Sequence, residues 1–250
     1  GILADAKSAL QALTPLIKVN KHPEWHKRFS DCADKEKRIV IDKAIYPRSN
    51  DIRMAEAINL LSEKTKGEAI IVTDVGQNQM IAARYYKFNK TCSHITSGGL
   101  GTMGYSLPAA IGAKLGQPNR EVISISGDGG FQMNIQELAL IRQENINLKI
   151  IILNNNWLGM VRQWQELFFE KRYSFTNISS PDFVILAKAY DIEAGRAETH
   201  DELKIQLDKM INAENGYLLE IVVEQEGNVF PMVPTGAGVA DVLLSKEEMK

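Results

Sequence analysis

Cysteine is nearly missing from this chain: Cys32 and Cys92 are the only two in 250 residues. They are too few and too far apart for a disulfide framework or a zinc knuckle, so a reducing cytoplasm is the default compartment. Long apolar runs are missing too. None approaches the roughly 18 residues that a membrane span requires, and no basic segment leads into an apolar one as a secretory leader would. Neither sign of charge dominates. The 29 Lys and Arg against 31 Asp and Glu leave a net charge of −2, with no basic stripe to attract nucleic acid or an anionic membrane. No internal repeat is visible. Gly1 stands in place of an initiator Met, which points to a chain cut from something longer.

What is present is a strand–helix alternation long enough to bury one large core, with 44% hydrophobic residues. Residues 1–18 read as a short strand end and then a helix with Ala9, Leu10, Leu13, Leu16 and Ile17 on one face. Residues 21–43 are polar and mixed in charge and read as a linker helix, the run 34–38 being a solvated face. A turn at 46–51 caps a helix carrying Ile52, Ala55, Ile58 and Leu61. Strand-like segments follow at 69–73, 92–96, 122–126, 149–153, 191–194 and 217–223. Helical patterns at 77–86, 103–115, 135–143, 160–169, 182–190 and 200–211 fill the gaps. This order predicts an α/β fold with a doubly wound, mainly parallel six-stranded sheet and helices on both faces. The tail after Val229, with Pro231, Pro234, Gly236 and Gly238, has a loop's composition and is expected to fold over the site.

In such a sheet, ligands sit at the carboxyl ends of the strands. Two polar clusters fall there: Gly127-Asp128-Gly129-Gly130 after one apolar run, and Asn154-Asn155-Asn156 after the next. Asp128 alone would serve as a helix cap and Asn155 alone as a turn residue. As a pair they suit a hard cation, and the glycines leave room for a phosphate at a helix start. A rival lies at Gly99-Leu100-Gly101-Thr102-Met103-Gly104, which matches the dinucleotide fingerprint G-x-G-x-x-G. Two points count against it. Asp128 sits between glycines, a geometry for phosphate rather than ribose, and the Asn cluster has no role in that fingerprint.

Gly127-Asp128-Gly129 with Asn154-Asn155 resembles the G-D-G…N-N signature of thiamine-diphosphate enzymes. Three further stretches, residues 96–105, 158–165 and 231–238, resemble the catalytic subunit of acetolactate synthase (acetohydroxyacid synthase). The resemblance implies three parts: residues 1–20 as the tail of a preceding middle domain, 21–50 as a linker, and 51–250 as the thiamine-diphosphate and Mg²⁺-binding domain, with a capping tail from about residue 229.

It also implies residue roles. Asp128, the Asn155 side chain and the Trp157 carbonyl would ligate Mg²⁺, while Gly129 and Gly130 would offer helix-start amides to the diphosphate. The family often has Ser where Gly130 stands. Val75-Gly76-Gln77-Asn78-Gln79 matches its G-Q-H-Q loop, with Asn78 in place of the His, so that grip is kept without a cationic form. Met103 would be the apolar wedge that bends the cofactor, although a Met is more often core filler. Gly101 would give close backbone approach, and Gly159 and Met160 would line the pyrimidine pocket. Trp164 is open between a substrate-channel wall and a packed surface residue. His22 and His26 lack a third metal ligand and read as exposed linker histidines; His94 reads as a satisfied strand histidine.

The implied activity of the intact enzyme is decarboxylation of pyruvate and ligation of its two-carbon unit to a second pyruvate or to 2-oxobutanoate. FAD would be held mostly by domains outside this chain. A homodimer or homotetramer is implied, with a regulatory small subunit as a common partner. No position here fits the glutamate that activates the cofactor, so the chain alone is expected to lack carboligase activity. The alternative is a separate diphosphate-binding subunit of another 2-oxo-acid decarboxylase.

Overall fold

The computed structural model describes residues 1–248. Ahead of the sheet come α1 (Ala6–Leu13), α2 (Pro23–Glu36), a π-helical turn (Lys37–Ile41) and α3 (Asp42–Ile45). There follow α4 (Met54–Lys64), β1 (Ile70–Thr73), α5 (Gln77–Tyr85), β2 (His94–Thr96), α6 (Ser106–Gly116) and β3 (Val122–Gly127). The chain continues through α7 (Asp128–Phe131), a 3-10 turn and α8 (Leu138–Gln143), then β4 (Lys149–Asn154), α9 (Gly159–Phe168) and α10 (Phe183–Ala189). It closes with β5 (Glu193–Ala197), α11 (His200–Asn212) and β6 (Tyr217–Val222).

The six strands form one sheet in the order β2-β1-β3-β4-β6-β5, and every pairing is parallel. The β-branched runs explain why. Successive side chains of a strand point to opposite faces, and here both faces are covered, so apolar residues are needed at every position. Ile71, Ile123, Ile125, Ile151 and Leu219 pack under α4, α5 and α11. Their neighbours Ile70, Val72, Val122, Ile150 and Leu218 pack under α6, α8 and α10. Because α5 and α6 lie on opposite faces, the strand order reverses between β1 and β3. That reversal opens a crevice at their carboxyl ends.

Three expectations change. Residues 1–5 form no strand, since nothing lies beside Ile2 and Leu3 to pair with them; both are exposed. The helix expected from residue 103 starts at Ser106, because Gly104 at φ +82° turns the chain just before it. Among the described residues the tail after Val229 does not line the crevice. Instead, the buried Arg162 of α9 donates to the Gly227 carbonyl at 2.8 Å and to Asn228 Oδ1 at 2.6 Å. Glu166, one turn on, accepts from Arg162 at 2.7 Å, from Asn228 at 2.9 Å, and from Lys246 in the tail. Burial alone would raise the Glu166 carboxyl, but these three donors outweigh it and hold it at about 2.

The 49–51 turn is clasped to the domain by His200, whose Nδ1 lies 2.8 Å from Glu56 Oε1 and whose Nε2 lies 3.0 Å from the Ser49 carbonyl. Both ring nitrogens face acceptors, which only the imidazolium satisfies. The Ser49 carbonyl first, and then Glu56, raise its pKa against a partial burial that lowers it. A group raised on folding adds stability below its unfolded value of about 6.5 and loses it as pH rises through the folded value. His200→Gln is therefore expected to lower the melting temperature at pH 5.5 and to converge on the unaltered chain at pH 8.5. Thermal melts across that range check it, and a difference independent of pH would refute the charged clasp.

Candidate cofactor site

The crevice holds a cavity of about 290 Å³ lined by Val75, Gly76, Gln77 and Asn78 after β1, by Met103, by residues 127–130 after β3, and by Asn155, Trp157, Gly159 and Met160 after β4. Four segments, each at least 24 positions from the next in sequence, thus share one wall. Two expected members stand outside it. Gly101 lies in the exposed loop before α6, and Trp164 is 38% exposed and packs on Phe168 at 5.0 Å between ring centroids.

Asp128 opens α7 and is buried. Its Oδ2 accepts from the Ser180 hydroxyl at 3.2 Å. Burial pushes its carboxyl up to about 6, while Ser180 and the amides of Gly129 and Asn156 pull the other way. A desolvated carboxylate with so few donors is one that a cation would satisfy. Asn155 Oδ1 accepts from the Trp157 amide at 3.1 Å, which fixes the turn that carries the Trp157 carbonyl. One carboxylate, one carboxamide and one main-chain carbonyl form a donor set of hard oxygens suited to Mg²⁺ rather than to a thiophilic metal. Among the described residues no cluster of three His, Cys, Asp or Glu side chains offers a metal site.

The glycines are a cradle in the literal sense. A Cβ on Gly130 would lie 2.3 Å from Asp74 Oδ1, and one on Gly159 would lie 2.3 Å from Gln77 Oε1. A Cβ on Gly129 would meet Leu158 and Ile178 near 3 Å and lie 4.0 Å from the Met103 methyl, which sets Met103 beside the diphosphate-side glycines. Asn78 donates to the Val75 carbonyl at 3.1 Å, keeps one amide hydrogen free, and leaves its buried Oδ1 without a partner. Gln77 is more committed. Its amide donates to Gln163 Oε1 at 3.0 Å and to the Gly227 carbonyl at 2.8 Å, tying the site to α9 and to the segment after β6.

Sequence reasoning missed Asp74 and Ser180. Asp74 is buried at the end of β1, where its oxygens accept from the Gly104 amide at 3.1 Å and the Ser106 amide at 3.0 Å, so it anchors the loop that carries Met103. The apolar run 70–72 before it was the only signal that an acid there closes a buried strand. The dinucleotide rival fails on topology: its glycines follow the edge strand β2, not the reversal between β1 and β3.

The geometry is that of a doubly wound α/β domain with a ligand crevice where the strand order reverses. Residues 74–221 match the family described as thiamine pyrophosphate enzyme, C-terminal TPP binding domain. The chain belongs to that family. It is 46% identical over 237 residues to the acetolactate synthase large subunit of Lactococcus lactis, covering 94% of this chain and 40% of that protein. It is 45% identical over 184 residues to the isozyme 2 large subunit of acetolactate synthase from Escherichia coli, covering 73% of this chain and 34% of that protein. It is 40% identical over 258 residues to the chloroplastic acetolactate synthase 2 of Zea mays, with 97% and 40% covered. The chain thus spans about 40% of the length of such relatives.

Proposed function

We propose that this chain is the diphosphate-binding part of an acetolactate synthase catalytic subunit. In this reading residues 1–20 close a preceding domain, residues 21–50 link it, and residues 51–250 hold thiamine diphosphate and Mg²⁺. The observation that carries the reading is the oxygen set of Asp128, Asn155 and Trp157 at the ends of adjacent strands, beside glycines whose Cβ atoms would collide with their neighbours.

Thiamine diphosphate, when bound, supplies the electron sink through which a 2-oxo acid loses CO₂ and its two-carbon unit passes to a second 2-oxo acid. This chain's residues do the holding. Asp128, Asn155 and the Trp157 carbonyl ligate the Mg²⁺ that neutralises the diphosphate. The amides of Gly129 and Gly130 receive its oxygens at a helix start. Asn78 grips through its free amide hydrogen, and Met103 presents an apolar surface to the organic part. Gly159 and Met160 close the opposite wall.

Pyruvate and 2-oxobutanoate are the proposed substrates. Met80 and Val161, at the cavity wall and 42% and 49% exposed, leave an apolar rim that a second polypeptide would cover. That supports a homodimer or homotetramer in which a partner brings the activating carboxylate, with FAD bound mainly outside this chain. A regulatory small subunit is a further proposed partner.

Two outcomes test the reading. Calorimetry should find thiamine diphosphate binding only with Mg²⁺ present. An assay of acetolactate formation by this chain alone, with both cofactors and pyruvate, should find no turnover, because among the described residues nothing in the cavity wall other than Asp128 carries a carboxylate. Metal-independent binding would refute the ligand set, and appreciable turnover would refute the need for a partner's carboxylate.

A further inference from the structure

Behind the metal loops, three parallel strands carry a polar chain that the cofactor site does not use directly. Glu220, 3% exposed, sits in β6 in register with Ile152 of β4 and Arg196 of β5. A carboxylate buried in a sheet is costly unless paired. Here Oε1 accepts from Asn154 Nδ2 at 2.8 Å and Oε2 accepts from Arg196 Nε at 2.7 Å.

Two branches leave this pair. On one side, Asn154 Oδ1 accepts from the Asn156 amide at 3.1 Å, closing the turn that contains Asn155, with Asn156 held at φ +57°. On the other, Arg196 Nη2 pairs with Asp182 Oδ2 at 3.0 Å. Asp182 caps α10 by accepting from the Ile185 amide at 2.9 Å. Two residues earlier, Ser180 donates to Asp128. One ion pair therefore touches the supports of both side-chain ligands.

We propose that Arg196 and Glu220 are positioning residues for the cation site, fixing Asn155 through Asn154 and Asp128 through the segment from Ser180 to Asp182. This rests on the Mg²⁺ reading above. Packing alone does not call for charges here: Glu220 is buried and Arg196 is 33% exposed, and even a fully buried ion pair is often replaceable by apolar residues without loss of stability. What an apolar pair would lose is the orientation of Asn154 and Asp182, and outer-shell partners of this kind typically control metal affinity.

The test is E220Q. One end of an amide is a donor, so the new side chain cannot accept from both Asn154 and Arg196. With thiamine diphosphate saturating and each variant folded by circular dichroism, Mg²⁺ titration should give about tenfold weaker binding. In the metal-free variant the Asn156 amide should exchange faster with solvent. The double variant E220Q/N154D reverses the polarity of the link at unchanged net charge, and it should recover most of the affinity. Y217F strips the 3.2 Å bond to Gln206 from the same strand; it should lower the melting temperature and leave Mg²⁺ binding alone. A folded E220Q that binds Mg²⁺ like the unaltered chain overturns the inference, as does an affinity that tracks melting temperature in Y217F as well. If the unaltered chain takes up no Mg²⁺, the metal reading fails first and this inference falls with it.

Discussion

Asp128→Ala should abolish Mg²⁺-dependent binding of thiamine diphosphate while leaving the sheet folded. Among the described residues Asp128 is the only carboxylate in the cavity wall, so its removal leaves Asn155 and a main-chain carbonyl, both neutral, against a divalent cation. Outer-shell partners alone are worth about 10–100-fold in metal affinity, and loss of this ligand should exceed about a hundredfold. The fold should survive because Asp128 opens a four-residue helix and its partners are the edges of loops rather than the two cores.

The isosteric Asp128→Asn separates function from stability. Burial holds the carboxyl up at about 6. A carboxyl raised on folding stabilises the chain below its unfolded value and loses that contribution as pH climbs through the folded value. At pH 8 the metal-free chain thus carries an uncompensated charge, and the amide should melt higher there, by on the order of 2 kcal/mol. The same proton competes with Mg²⁺, so affinity should fall as pH drops below about 6. Titrations between about pH 5 and 8 with both variants check this. Retained Mg²⁺ dependence in Asp128→Ala would remove Asp128 from the ligand set.

Gly130→Ala should be the most damaging single methyl in the chain's site. The new Cβ would stand 2.3 Å from Asp74 Oδ1 and 2.9 Å from its Cγ. Asp74 cannot move aside without surrendering the amides of Gly104 and Ser106, which are buried with it. Overpacking together with broken buried hydrogen bonds should cost about 3 kcal/mol, a fall in melting temperature of about 10 °C for a chain of this size. The neighbouring Gly129→Ala is the internal control. Its Cβ would meet the methyl ends of Leu158 and Ile178 at 2.9 and 3.0 Å, which can rotate away, so the cost should be about 1 kcal/mol. Equal melting temperatures for the two variants would refute the role given to Asp74.

The sheet was legible because both of its faces are buried. Runs such as Ile150-Ile151-Ile152-Leu153 have no polar alternation, and only a strand covered on both sides requires that. Asp128 and Asn155 were legible because each follows such a run directly. The supports were not. Ser180 reaches Asp128 across 52 positions of sequence, and its loop is placed by contacts such as the Leu158 amide donating to the Thr176 carbonyl at 2.8 Å. No local pattern encodes such a contact. Glu220 lies inside the expected strand 217–223, but nothing in the local pattern marks it as the partner of Asn154 and Arg196. Met103 was expected within a helix, yet the positive φ of Gly104 leaves it in a loop, where it reaches the cavity. Arg162, Gln163 and Glu166 are buried and hold the segment after β6, a role that helical spacing alone does not announce.

A sheet covered on both faces has only its two margins left open to foreign strands. One margin is β2, three residues long and entered through Cys92 at φ +50°. The other is β5, which carries Glu193 and Arg196. A strand that short offers little backbone to template on, and a charged one repels an apolar newcomer. Protection against edge-to-edge pairing therefore falls to these two edge strands, and lengthening or neutralising either should invite such pairing before it disturbs the crevice at the strand ends.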